Sequence, residues 1–197
     1  TTWAPRQFLD VPSNCTSIAM SADGARIAVG CPRTVLLFED TTGVYAPRTL
    51  PSVMTDVTPT VVLSADGRRL LVTNSMANTT YVYRDRGTWA LDTDGDLGAI
   101  TSVSLLGAAG TLSRNGLHVL LSSNATGARN AHAFRFDGTR WVADGSLTGT
   151  GIDTDEFGAS LAISDDGTRA AVGAPMAELT GIVRLFGRDG TGWRADV

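Results

Sequence analysis

The chain contains no lysine: all 16 of its basic residues are arginine, set against 20 acids for a formal net charge of -4. Without an ε-amino group there is no Schiff-base chemistry. With the arginines scattered among acids there is no basic stripe to neutralise phosphates, which argues against a nucleic-acid binder. Histidine is scarce. His118 and His132 are the only two, neither has a matching acid nearby in sequence, and both read as strand residues. The nucleophile elbow G-x-S-x-G and the zinc motif H-E-x-x-H are missing, so the usual signatures of nucleophilic and metalloprotease catalysis are absent. Gly149-Thr150-Gly151 lacks the third glycine and the following helix of a phosphate cradle. No apolar run reaches the roughly 18 residues that span a bilayer. The least charged stretch, Leu97 to Ser113, is broken by Thr101, Ser102, Ser104 and several glycines. No segment keeps a 3.6-residue period with caps at both ends, so helices have little place and the chain is expected to be nearly all β. The chain opens on Thr1 rather than Met and shows no basic and apolar leader, as expected if a signal has been removed or the ends trimmed.

What is present is 43% hydrophobic residues, enough for a core, punctuated by 22 Gly and 7 Pro that fall between short apolar runs. Four segments share one pattern: TSIAMSADGARIAVGCP (Thr16 to Pro32), TPTVVLSADGRRLLVTN (Thr58 to Asn74), GAAGTLSRNGLHVLLSS (Gly107 to Ser123) and FGASLAISDDGTRAAVGAP (Phe157 to Pro175). Their marker serines, Ser21, Ser64, Ser113 and Ser164, stand 43, 49 and 51 residues apart, a period that suits a propeller blade. Within each segment Asp23-Gly24, Asp66-Gly67, Asn115-Gly116 or Asp166-Gly167 joins two β-type runs, a strong hairpin signal because the turn needs positive φ. A third run follows each hairpin (TVLLFED, TTYVYRD, NAHAFRF, GIVRLFGRD), and a fourth is led by Tyr45, Trp89, Trp141 or Trp193. Four runs per unit make a four-stranded meander, and such units bury both faces only by stacking around an axis.

Phe157-Gly158 with Gly173-Ala174-Pro175 and GIVRLFGRDGTGW resembles the FG-GAP repeat of integrin-α-like β-propellers. Leu106-Gly107 echoes the FG pair and Gly30-Cys31-Pro32 the GAP triplet, while the second unit resembles YVTN-type propeller repeats. The expected architecture is therefore an all-β β-propeller, or part of one, with four-stranded antiparallel blades over about 14–50, 57–97, 106–147 and 157–197. TTWAPRQFL (Thr1 to Leu9) reads as an additional strand of the fourth type, led by Trp3. That surplus strand suggests an excerpt of a longer array, or a strand that pairs with a partner chain or caps the last blade.

Integrin-type repeats hold Ca²⁺ in an acidic loop between the first two strands, a loop replaced here by the bare turns SADG, SADG, SRNG and SDDG. No metal or cofactor is expected. The run Asp92-Thr93-Asp94-Gly95-Asp96 offers alternating carboxylates at Asp92, Asp94 and Asp96, but it fails the EF-hand pattern because Gly stands fourth and Val103 stands twelfth. It reads first as a solvated connection, as do Asp153, Asp155 and Glu156 one unit later. Cys15 and Cys31 mirror each other about the Asp23-Gly24 turn, as do Ser21 and Ala25, so a disulfide is expected, with two buried thiols as the alternative. Sequons occur at Asn14, Asn78 and Asn124 and fall on the face that carries the second-to-third and fourth-to-first strand connections.

The second-to-third connections on that face lengthen along the chain while the opposite turns stay short. Variable loops on a rigid scaffold are where recognition resides. The fourth unit has no sequon there, and Met176, Glu178 and Leu179 are the expected partner-binding patch for a protein or glycan ligand. The function implied is a non-catalytic, extracellular or cell-surface interaction or adhesion module. A repeat lectin stacking sugars on Trp89 or Trp141 is the alternative and a propeller enzyme the weaker one. Fold analogy carries most of this reading.

Overall fold

The computed structural model describes residues 7–51, 58–74, 79–92, 106–123, 130–149 and 155–196. Among these residues sixteen strands form four antiparallel sheets of four strands each, every sheet a simple meander. The first blade is β1 (Ser17–Met20), β2 (Arg26–Cys31), β3 (Thr34–Asp40) and β4 (Tyr45–Arg48). The second is β5 (Thr60–Leu63), β6 (Arg69–Asn74), β7 (Thr79–Asp85) and β8 (Trp89–Leu91). The third is β9 (Leu106–Leu112), β10 (His118–Ser123), β11 (Asn130–Phe136) and β12 (Trp141–Thr148). The fourth is β13 (Ser160–Ile163), β14 (Arg169–Ala174), β15 (Ile182–Asp189) and β16 (Gly192–Ala195).

The inner strands adjoin in the row β1, β5, β9, β13, while β12 meets β16 toward the rim. The second strand of a blade is covered on both faces, which is why RLLVTN is buried throughout and reads as a run rather than an alternation. Fourth strands lie outermost and are the most exposed, as in YAPR and WAL. Val35, Leu37, Val61, Leu63, Leu70 and Tyr83 form the core between the first and second blades. Leu71, Leu112, Leu121, Phe134 and Trp141 join the second to the third, and Leu120, Leu147, Phe157, Val172 and Phe186 join the third to the fourth. At roughly 1.5–3 kcal/mol for each large apolar side chain buried, these seams dominate the stability of the array.

One turn recurs at the start of every blade. Ser21 Oγ donates to Asp23 Oδ1 (2.6 Å) and accepts from the Arg26 N–H (2.9 Å), while Asp23 Oδ1 accepts from the Ala25 N–H (2.9 Å). The same three bonds recur around Ser64 and Asp66, Ser113 and Asn115, and Ser164 and Asp166. The hairpin closes from Ser21 N–H to Arg26 C=O, so the loop is four residues long rather than the two-residue turn that Asp-Gly signals most strongly. Within these four turns positive φ falls on glycine alone, +72° at Gly24 and +75° at Gly167, and at Gly167 a Cβ would also lie 2.1 Å from His118 of the preceding blade. The turns bond to one another as well: Ala22 N–H donates to Ala65 C=O, Ala65 N–H to Arg114 C=O, and Asn115 N–H to Asp165 C=O.

Cys15 and Cys31 are joined by a disulfide with a Cα–Cα distance of 4.0 Å. The mirror that suggested the pair is offset by one residue. The ladder pairs Ser17 with Gly30 and Met20 with Ile27, so Cys15 stands beyond the ladder, next to Asn14, whose positive φ of 66° turns the chain inward. Of the surplus strand expected over 1–9, residues 1–6 lie outside the described residues and Gln7 to Leu9 form no ladder. Instead the Gln7 side chain brackets the Tyr45 backbone, accepting from its N–H (2.9 Å) and donating to its C=O (3.2 Å), and Leu9 packs on the outer face of the first blade.

Candidate partner-binding site

The residues of the FG-GAP resemblance converge at one end of the fourth blade. Phe157 is buried edge-on against Phe186, ring centroids 6.2 Å apart. Gly158 follows with φ of +90°, and its N–H donates to Gly173 C=O (2.9 Å), tying the entry of β13 to the exit of β14. A Cβ on Gly158 would lie 2.9 Å from Ser122 of the third blade, so the glycine lets the two blades approach. Pro175 then ends β14 and starts the connection to β15.

That connection is built outward from its core side chain. Ala177 is fully buried, while its C=O accepts from Gly181 N–H (2.7 Å) and closes the loop; Met176 N–H donates to Asp155 C=O (3.3 Å). Around this anchor a short 3-10 turn spans Ala177–Leu179, with φ of 53° at Glu178 and 66° at Leu179. Non-glycine residues in the left-handed region carry a conformational cost, and such positions concentrate at binding and switch sites. The result holds Met176 at 62% and Leu179 at 103% exposure, with Glu178 exposed between them. Beside the turn runs a groove of about 520 Å³ lined by Ala174, Pro175, Thr180, Gly181 and Ile182 among others. Met176, Glu178 and Leu179 thus share one short loop, two apolar side chains flanking a carboxylate. The left-handed backbone and the groove had no sequence signal beyond Gly181.

The other sequence candidates separate. Asp92 is buried rather than solvated: it accepts from Trp141 Nε1–H (3.1 Å) and lies 3.8 Å from Arg69. Asp94, Asp96 and Asp153 lie outside the described residues, as do Asn78 and Asn124. Asp155 is buried under the fourth-blade loop, and Glu156 takes a positive φ of 54°. Among the described residues no three His, Cys, Asp or Glu side chains converge as a metal centre. Asn14 is exposed on a positive-φ backbone. Among the described residues no helix is long and apolar enough to cross a membrane.

The aromatic residues that lead the fourth strands differ in fate. Trp141 has no exposed surface, which removes it as a sugar-stacking platform. Trp89 borders a pocket of about 540 Å³ with Glu39, Arg48 and Asp85, and the Arg26 guanidinium covers its ring at 5.5 Å. His118 begins β10 and burial lowers its pKa despite the opposing charge of Asp144. His132 is likewise lowered by burial, and its Nδ1 lies 3.0 Å from Ser146 Oγ across the β11–β12 ladder.

No known protein-family profile matches the chain, and no curated protein matches it in sequence. Solved structures do match in fold. The β-propeller domain of Swd1 from Myceliophthora thermophila superposes with a TM-score of 0.59 at 15% identity, over 90% of this chain and 52% of that one. A protein from Lactobacillus plantarum gives 0.64 at 13% identity, over 96% and 56%. A GH74 enzyme from Niastella koreensis gives 0.61 at 17% identity, over 91% and 24%. The chain spans about half the length of the first two. At these identities the likeness concerns fold alone, and with the four stacked meanders it establishes that this chain has the β-propeller fold.

Proposed function

We propose that this propeller is a non-catalytic interaction module, extracellular or at a cell surface, that engages a protein partner through the second-to-third strand connection of its fourth blade. The observation that carries the reading is the exposed Met176 and Leu179 pair, held out on a left-handed turn whose Ala177 is anchored in the core. An apolar pair that costs backbone strain to present, next to a groove and an acid, fits a small recognition patch. The Cys15–Cys31 disulfide and the sequon at Asn14 support an oxidising compartment.

The test is a binding screen of the isolated chain against a panel of extracellular protein domains, repeated with Met176, Glu178 and Leu179 all changed to Ala. Any ligand found is expected to be lost in the triple variant while the thermal melt is unchanged. Full retention of binding would refute the placement. A second reading, glycan binding, draws on Trp89 and the carboxylates of Glu39 and Asp85 around its pocket. Glycan-array binding abolished by Trp89→Ala in a folded protein would favour it.

A further inference from the structure

We propose that the pocket between the third and fourth blades binds a carboxylated sugar, a glycan residue whose acid group is read by Arg135. The site is separate from the Met176 and Leu179 loop and does not rest on the reading built there. Each of two adjoining blades supplies one wall. The space is about 550 Å³, lined by Arg135, Asp144 and Gly145 of the third blade and by Arg188, Gly190 and Trp193 of the fourth among others. That is room for about one or two sugar rings, within the range of small-molecule sites.

Charge at this seam is reversed relative to the seam between the first and second blades, and the ladders fix the equivalences. Arg135 stands opposite His118 as Glu39 stands opposite Arg26. Arg188 stands opposite Trp193 as Asp85 stands opposite Trp89. Asp144 follows Ala143, the partner of Phe134, as Arg48 follows Pro47, the partner of Phe38. In the first seam two cations, Arg26 and Arg48, meet two carboxylates, Glu39 and Asp85, and the charges balance. In the later seam Asp144 meets both Arg135 and Arg188. His118, whose pKa burial lowers, adds no charge at neutral pH, and Asp189 at the neighbouring hairpin is matched by Arg194 at 3.5 Å. Among the described residues the pocket therefore carries an excess of one positive charge.

Asp144 is committed to Arg188, which grips it with two bonds, Nε to Oδ2 (2.5 Å) and Nη2 to Oδ1 (2.7 Å), and its side chain is 9% exposed. A β-bulge aims it there. The β11–β12 register slips between His132 and Phe134, so that Asp144 and Gly145 together oppose Ala133, with φ of +107° at Gly145. The β3–β4, β7–β8 and β15–β16 ladders have no such slip. Arg135 is held less closely: its side chain is 41% exposed and meets Asp144 at 3.3 Å from Nε. The outer end of its guanidinium is left for a second planar carboxylate, the group that arginine binds in a fork. A sugar ring has space beside it. A Cβ added at Gly190 or Gly192 would meet nothing within 4 Å, and at Gly145 it would meet only Trp193 Cδ1 at 3.7 Å. Bare glycine backbone, the partly buried indole of Trp193 and the hydroxyls of Ser146 and Thr191 suit a ligand with one apolar ring face and many hydroxyl groups.

An array of glycans bearing uronic or sialic acids, beside their neutral and sulfated counterparts, tests the assignment, with calorimetric titration of the strongest hit. Signal is expected on the carboxylated glycans and not on the neutral ones. Arg135→Gln removes the charge from an exposed side chain and should weaken that hit about 10-fold or more while the melt holds. Gly190 has no positive φ, so Gly190→Leu fills the open space without straining the turn and should weaken binding as well. Arg33→Gln takes the same charge from an exposed position on the first blade and should leave the affinity unchanged. An array without an acidic hit overturns the proposal. So does equal binding of the neutral glycans, preference for the sulfated ones, or affinity indifferent to Arg135→Gln.

Discussion

The seam between the first two blades and the seam between the next two carry an arginine at the same position and use it differently. Arg26 donates to Glu39 (2.7 Å), Asp85 (2.6 Å) and the carbonyl of Gly67 (3.0 Å). Arg69 finds an arginine, Arg84, where Arg26 has Glu39, and a phenyl ring, Phe136, where Arg26 has Asp85. Its guanidinium lies 4.4 Å from the centroid of Phe136 and 5.7 Å from that of Trp141, while Nε and Nη2 are buried without a hydrogen-bond partner. Burial works against the charge on both. At Arg26 the carboxylates outweigh it and raise the pKa, whereas at Arg69 burial and then Arg84 lower it against the pull of Asp92. The two seams teach that an arginine at one position can act as an ion-pair donor or as a flat plate over aromatic rings, and that the neighbouring blade decides which; the third blade carries His118 at this position.

Substitution of the aromatic residues should give the largest contrast. Trp141 is fully buried and donates to Asp92, so Trp141→Ala is expected to cost about 4 kcal/mol in urea unfolding. Trp89, partly exposed at the rim of its pocket, should cost about 1.5 kcal/mol on the same change. Equal losses would show that the two seams are energetically alike. The arginines come next. Arg26→Met strands two partly buried carboxylates and is expected to cost about 2 kcal/mol, whereas Arg69→Met releases unpaired donors and should cost under about 1 kcal/mol. The reverse order would mean that stacking outweighs the ion pairs.

The smallest effect lies in the turns and depends on pH. Asp166 is held at about 2 by the Ser164 hydroxyl and the Thr168 N–H and hydroxyl. Asp23 is lowered by Ser21 and the Ala25 N–H, and Asp66 is lowered by Ser64 and the Arg68 N–H against the effect of burial. A carboxylate depressed by folding stabilises the folded state above its ordinary value of 3.8 and loses that contribution as pH falls toward 2. The third turn has Asn115 in this place and cannot titrate. Changing Asp23, Asp66 and Asp166 to Asn should lower the melting temperature slightly at pH 7 and flatten its fall between pH 4 and 2. An unchanged acid slope would show that the turns do not contribute; a residual slope is expected because Asp137 and Asp189 are also held low.

Much of the architecture was legible because its signals are local. Ser-x-Asx-Gly places a serine, a carboxylate or amide, and a positive-φ residue within four positions, enough to make the turn and to set the repeat. The alternation in TVLLFED and TTYVYRD follows from strand geometry alone. The candidate loop was legible only as a site of variation. Nothing in PMAELTG marks Ala177 as the anchor, because its burial depends on the core between the third and fourth blades. The one-residue offset at Cys15 escaped for a similar reason: hairpin register depends on the length of the closed loop, which the Asp-Gly pair does not by itself define.

The amino-acid sequence by itself determined the number of repeats, the order of strands within each, the turn chemistry and the scarcity of helix among the described residues, since each rests on contacts within a few residues or on side-chain periodicity. Tertiary structure alone decided that Asp92 is an interior acceptor, that Trp141 is core while Trp89 borders a pocket, and that Arg26 and Arg69 serve opposite chemistries. Those outcomes depend on residues 49 and 59 positions away, Trp141 for Asp92 and Asp85 for Arg26, brought within hydrogen-bond reach only when one blade stacks on the next. Stacking is a face-to-face contact between repeats, and a single repeat carries no record of the blade it will meet.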